Sequence, residues 1–253
     1  MAKILLIETA TEVCSVAIAV DGLVVALAED LLQSNHVARI TLLIDDCVQQ
    51  SGISLALLDA VAISRGPGSY TSLRVGVSSA KGICYALDKP LIAVDTLLAL
   101  AWASREEFEV RSSKFEVQSS EFELQTSNSK LFIPMLDARR QEVWTAVYDA
   151  HLQEVMPPQP LILQNNLFYN FLQTASESAP AEVFVVLGNG AKKIGNDLIG
   201  EKVVVSDIQN CSAQHLAGPA EHFFKKSEFQ DISYLEPHYM KLPNITTPNK
   251  PLF

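Results

Sequence analysis

The chain runs through one order of elements twice, and that repetition constrains its fold more than any single motif. Alternation and helical periodicity in the first half predict strands over Lys3–Ile7, Val13–Val20 and Leu23–Ala28. Asp21-Gly22, between the last two, is a strong two-residue hairpin signal. A helix from about Asn35 to Gln50 places Val37, Ile40, Ile44 and Val48 at helical spacing. Strand Ala60–Ser64, helix Tyr70–Leu87, strand Leu91–Val94 and helix Thr96–Ser104 follow. The second half offers strands at Leu131–Leu136 and Glu142–Tyr148, with a fainter third near Pro160–Leu163. Helix Asn165–Thr174, strand Glu182–Leu187, helix Ala191–Ile199, strand Lys202–Val205 and helix Ala213–Lys225 complete it. Both halves read βββαβαβα, and each has an acid at the exit of its first strand, Glu8 and Asp137.

The predicted division is a first lobe over 1–104, a low-complexity insertion over 105–130 and a second lobe over 131–253. A helix at about 213–226 is a candidate to pack back on the first lobe. The insertion contains FEVRSSK, FEVQSSE and FELQTSN, three imperfect copies of seven residues spanning Phe108 to Asn128. Serines and apolar positions two apart argue against a coiled coil. A mobile loop or short hairpin outside either core is the expectation.

The most specific local motif is VAISRGPGSYTSLRVGV, Val61 to Val77. A short apolar strand ends in Gly-Pro-Gly, and Ser69 caps the helix that follows. No P-loop pattern is present. A tight βα connection without a ligand and a polar rim that binds one both stay open here. Along the helix, Ser72, Gly76 and Ala80 recur every four residues, with Ser79 and Gly82 nearby. Such a stripe lets another backbone approach closely, whether a partner helix or the lobe's own sheet.

Composition excludes more than it selects. A formal charge of −10 argues against direct grip on nucleic acid, which needs clustered Lys and Arg. No apolar run is long enough for a bilayer, and MAKILLIETA reaches Glu8 too soon for a signal peptide. Cys14, Cys47, Cys84 and Cys211 are scattered with no CxxC pair, reading as free thiols of a cytoplasmic protein. Of His36, His151, His215, His222 and His238, none pairs at i, i+4, so no metal site is expected. The turns after the first strand of each half, Glu8–Glu12 and Asp137–Gln141, contain no glycine to cradle a phosphate. Glu8, Thr9, Asp137 and Arg139 remain a candidate polar site across a cleft. Acids accepting turn hydrogen bonds and solvated arginines are the plainer account of the same residues.

The strings IETATEVCSVAIAVDG, SNHVARITLLIDDCVQQSG, the GPGSYTSLRVG region and MLDARRQEVWTAVY together resemble the TsaB (YeaZ) family. That family supplies a subunit of the bacterial complex that forms N6-threonylcarbamoyladenosine in tRNA. The resemblance is strong over 1–100 and about 131–149, and looser in VVLGNGAKKI and LEPHYMK. It implies an α/β, actin-like (ASKHA) two-lobed fold, each lobe ribonuclease-H-like with a mixed sheet flanked by helices. It also implies a non-catalytic role, supporting a TsaD-type catalytic subunit whose metal-binding histidines have no counterpart in Val94–Ala101. A TsaE-type ATPase is an implied further partner, tRNA is reached only through the complex, and a homodimer forms in isolation. The family's interface on the first two helices implies His36, Ile40, Ser69, Tyr70, Thr71, Ser72, Arg74, Val75, Gly76 and Ser79 as contact residues. No cofactor is implied for the chain itself, and a nucleotide at the partner interface is left open. The alternatives are a free-standing actin-like ATPase or kinase and, weakest, a glycoprotease-type peptidase, for which no GxSxG elbow exists.

Overall fold

Two five-stranded mixed sheets with the same internal order carry the chain. The computed structural model describes residues 1–31, 35–115, 130–195 and 202–241. In the first sheet, β1 (Lys3–Glu8), β2 (Cys14–Val20), β3 (Leu23–Asp30), β4 (Ala60–Ser64) and β5 (Leu91–Val94) lie in the order β3-β2-β1-β4-β5. In the second, β6 (Lys130–Asp137), β7 (Glu142–Tyr148), β8 (Glu154–Ile162), β9 (Val183–Leu187) and β10 (Val203–Val205) lie in the order β8-β7-β6-β9-β10. The first three strands of each half pair antiparallel, and the last two add in parallel. Asp21 and Gly22 both take positive φ, as the predicted tight hairpin between β2 and β3 requires.

Third strand β8 is longer than the sequence suggests and begins at Glu154. Its prolines, Pro157, Pro158 and Pro160, mask the periodicity, yet an edge strand tolerates residues that donate no ladder hydrogen bond. The helix read at Ala191–Ile199 is a 3₁₀ turn over Asn189–Lys193, and residues 196–201 lie outside the described residues. The segment read as one helix at Ala213–Lys225 divides into a 3₁₀ turn, Ala213–Leu216, and helix α5, Ala217–Lys225.

Helices α1 (His36–Ser51) and α2 (Tyr70–Leu87) cover one face of the first sheet. There Ile40, Leu43, Ile44 and Cys47 of α1 meet Val77, Ala80 and Cys84 of α2 over Leu5, Ile7, Val16 and Ile18. Helix α4 (Asn165–Ser178) covers the outer face of the second sheet, with Phe168, Phe171 and Leu172 buried.

The two remaining helices exchange lobes. Helix α3 (Thr96–Phe115) follows β5 of the first sheet, yet its Leu97, Leu100 and Ala101 pack on Phe132, Leu136, Ala146 and Leu187 of the second. The 3₁₀ turn and α5 follow β10, yet their Ala213, Leu216, Ala217 and Ala220 pack on Ile4, Leu6, Ala62 and Ile92 of the first. Helices α3 and α5 cross where Trp102 lies over Gly218, so close that a β-carbon at Gly218 would stand 2.1 Å from Trp102 Nε1. They form a middle layer that both lobes share.

Helix α3 also runs eleven residues beyond the predicted end at Ser104, reaching Phe115, so the first seven-residue copy begins as helix. Arg105-Glu106-Glu107 are good helix formers, and Ser206 Oγ donates to Glu107 at 3.1 Å. The second copy begins at Phe115, the last residue of α3, and the rest of it and the third copy lie outside the described residues.

Candidate functional site

A cavity of ≈ 730 Å³ opens between the lobes, at the carboxyl ends of β1 and β6. The first lobe contributes Ala10–Glu12, His36 and Pro67–Ser72 to its walls. The second contributes Leu136–Arg139, Trp144 and Asn189, and the segment after α5 adds His238–Lys241.

Glu8 does not line this cavity. At 1% exposure it turns inward, where its Oε1 accepts from Ala10 N at 2.6 Å and from Ser64 Oγ at 2.7 Å. Burial disfavours the charged carboxylate and pushes its pKa up to about 7, against the lowering effect of those hydrogen bonds. Thr9, fully buried beside it, faces α2, where a β-carbon on Gly76 would stand 2.2 Å from Thr9 Oγ1.

Asp137 and Arg139 do line the cavity. Asp137 Oδ1 accepts from Lys193 Nζ at 2.5 Å and from Arg139 N at 2.6 Å, while Asn189 Oδ1 accepts from Asp137 N at 2.8 Å. The structure therefore does not bring Glu8 and Asp137 together as a pair across the cleft: one is sealed in its lobe, and the other is held by a lysine. Arg139 and Arg140 both adopt left-handed backbone, φ 70° and 51°, in the β6–β7 turn, where asparagine and glycine are the usual residues.

Asn189 and Lys193, which fix this turn, escaped the sequence reading. Their signal was positional: Gly188-Asn189-Gly190 follows β9 as Gly66-Pro67-Gly68 follows β4, at the equivalent place in the other sheet. Among the described residues, no three His, Cys, Asp or Glu side chains converge as a metal would need.

The predicted contact residues on α1 and α2 divide by face. His36 and Ile40 are buried, as is Gly76, which packs against Thr9 and the Ile63 side chain. The stripe Gly76–Ala80 therefore serves the lobe's own sheet rather than an outside helix. Ser69, Thr71 and Arg74 are exposed, and Tyr70, Ser72, Val75 and Ser79 are half-buried along the margin. On the solvent side of the same helices, Val37, Leu42 and Tyr85 are 70%, 51% and 84% exposed.

The family model described as TsaD, tRNA N6-adenosine threonylcarbamoyltransferase, matches residues 30–114, about a third of the chain. Over nearly its whole length the chain is similar to a different protein, the Bacillus subtilis tRNA threonylcarbamoyladenosine biosynthesis protein TsaB. That match is 28% identical over 94% of each chain. The Escherichia coli protein of the same name is 43% identical over 99 residues, covering 39% of this chain and 42% of its own. Among solved structures, YeaZ from Pseudomonas aeruginosa superposes with a TM-score of 0.72 at 20% identity, over 94% of this chain and all of that one. The fold is thus the actin-like, two-lobed arrangement shared with YeaZ, and the chain is similar to TsaB proteins along nearly its whole length.

Proposed function

We propose that this chain is a non-catalytic subunit in the formation of N6-threonylcarbamoyladenosine in tRNA, binding and supporting a TsaD-type catalytic subunit. The observation that carries the reading is the end-to-end correspondence with the Bacillus subtilis protein named for that biosynthesis. The cleft points the same way. Both acids that could place a metal or activate water are engaged by Ser64, Lys193 and backbone amides. The turns beside them lack glycine, so β-carbons hold backbone donors away from a phosphate.

The surface assigned to the partner is the solvent side of α1 and α2, around Val37, Leu42, Arg74 and Tyr85. Exposed large apolar and aromatic side chains on adjacent helices suit the core of a helix-packed interface. A TsaE-type ATPase joins through the complex, tRNA is met only there, and a second copy of this chain takes the same helices when the catalytic subunit is absent. Leu42→Glu combined with Tyr85→Glu should weaken association with a TsaD-type subunit at least about tenfold while the melting temperature holds. Size exclusion with light scattering checks both. Undiminished association would move the interface elsewhere.

A further inference from the structure

Residues 229–241 cross from one lobe to the other over the mouth of the cleft. The segment leaves the first sheet where Gln230 N donates to Leu91 O at 2.8 Å. Lys81 on α2 then donates to the carbonyls of Ser233 and Leu235, at 3.3 and 3.2 Å, and Leu235 inserts into the first core. His238 N donates to Arg65 O at 2.6 Å, and the strap's backbone presses on Gly66, whose φ is +113°. A β-carbon there would lie 2.8 Å from His238 O, so glycine is needed for conformation and for clearance.

Beyond His238 the anchoring passes to side chains. Tyr239 stacks on Tyr70 at the start of α2, ring centroids 4.4 Å apart. Arg74 Nε donates to the Tyr239 hydroxyl at 3.0 Å, and its guanidinium also bonds Tyr70 and lies over that ring. Two residues later the chain has reached the other lobe, where Lys241 pairs with Glu142 and lies 5.1 Å from the Trp144 ring centre.

We propose that residues 229–241 are a latch that holds the two lobes at one opening, and that Arg74 is its pin. Ile232 and Leu235 fix the near end in the first core and Met240 rests on the second, but the crossing itself at Tyr239 and Lys241 hangs on solvent-accessible side-chain contacts, which open at lower free-energy cost than a core strand. Release at Arg74 and Tyr239 frees the span to Lys241, and with it the walls on both sides of the cavity. Arg74 also lies on the helix face assigned above to the partner, so occupancy of that face and the state of the cleft are linked. That link rests on the proposed partner reading; the latch itself does not.

Amide hydrogen exchange on the full chain tests it. Arg74→Ala and Tyr239→Ala should each raise exchange about tenfold in 236–241, in the first-lobe turn 66–72 and in the second-lobe turn 137–144. Acrylamide should then quench Trp144 more strongly. Trp102, the other tryptophan, sits outside the cavity, donating to Glu106, and should not respond. Faster exchange in 236–241 with 137–144 and Trp144 unchanged would overturn the latch. Saturation with a TsaD-type subunit should alter strap exchange as Arg74→Ala does, and binding that leaves the strap unaltered would overturn the link. Failure to bind at all would overturn the partner reading and leave the variant result standing.

Discussion

Glu8 and His215 titrate against one another. Burial raises the Glu8 carboxyl from 4.5 to about 7, so its stabilising effect is present below about 4.5 and is lost as pH climbs to 7. Burial lowers His215 from 6.5 to about 4, so its effect is present above 6.5 and is lost as pH falls. Between 4.5 and 6.5 the slopes oppose, and the wild-type stability should be nearly flat. Glu8→Gln should unmask a stability that rises from pH 4 to 6.5, with up to about 3 kcal/mol at stake. Urea unfolding at pH 5, 6 and 7 reads this, and parallel curves for both proteins would show that Glu8 is not raised. Gly76 makes a separate prediction: Gly76→Ala puts a methyl against Thr9 and should cost roughly 1–3 kcal/mol in the isolated chain. A normal melt would show that the site has room. The sequence showed that this position is small but not why, because a stripe of period four looks the same facing a sheet or a partner.

At the scale of elements, strong signals were readable where one residue type dominates. The Asp-Gly hairpin, the cap at Ser69 and the bounds of α2 are local chemistry and came out as expected. Segments whose form depends on distant packing did not. Strand β8 is proline-rich and holds its place by edge pairing with β7, information carried by another strand. Helix α3 lengthens because Glu107 finds Ser206, ninety-nine residues away. A helix near 213–226 packing on the first lobe was an expectation from the sequence, but its contact with α3 at Trp102 and Gly218 was hidden, since small residues permit close packing without naming the neighbour. Gly218→Ala should therefore destabilise the chain by roughly 1–3 kcal/mol, and Trp102→Phe should relieve part of that loss. A double-mutant cycle from thermal melts should give a coupling of at least about 0.5 kcal/mol; additive losses would mean that the two helices do not share that contact.

For the whole molecule, the repeated βββαβαβα order was legible because strand order follows from element order once crossover rules apply. The cleft was legible only in part. Its two acidic turns could be located, but their engagement by Ser64 and Lys193, and the strap that covers the mouth, arise from contacts over fifty residues or more. The proposed role as a supporting subunit rests on the end-to-end likeness to the Bacillus subtilis protein and on the exposed apolar face of α1 and α2. The direct test is reconstitution with a TsaD-type and a TsaE-type subunit, following threonylcarbamoyl transfer to tRNA with ATP hydrolysis in parallel. Transfer is expected only when this chain and the TsaD-type subunit are together, with negligible ATP turnover by this chain alone. ATP hydrolysis or transfer by the isolated chain at about 1 s⁻¹ or more, within the ordinary enzyme range, would contradict it.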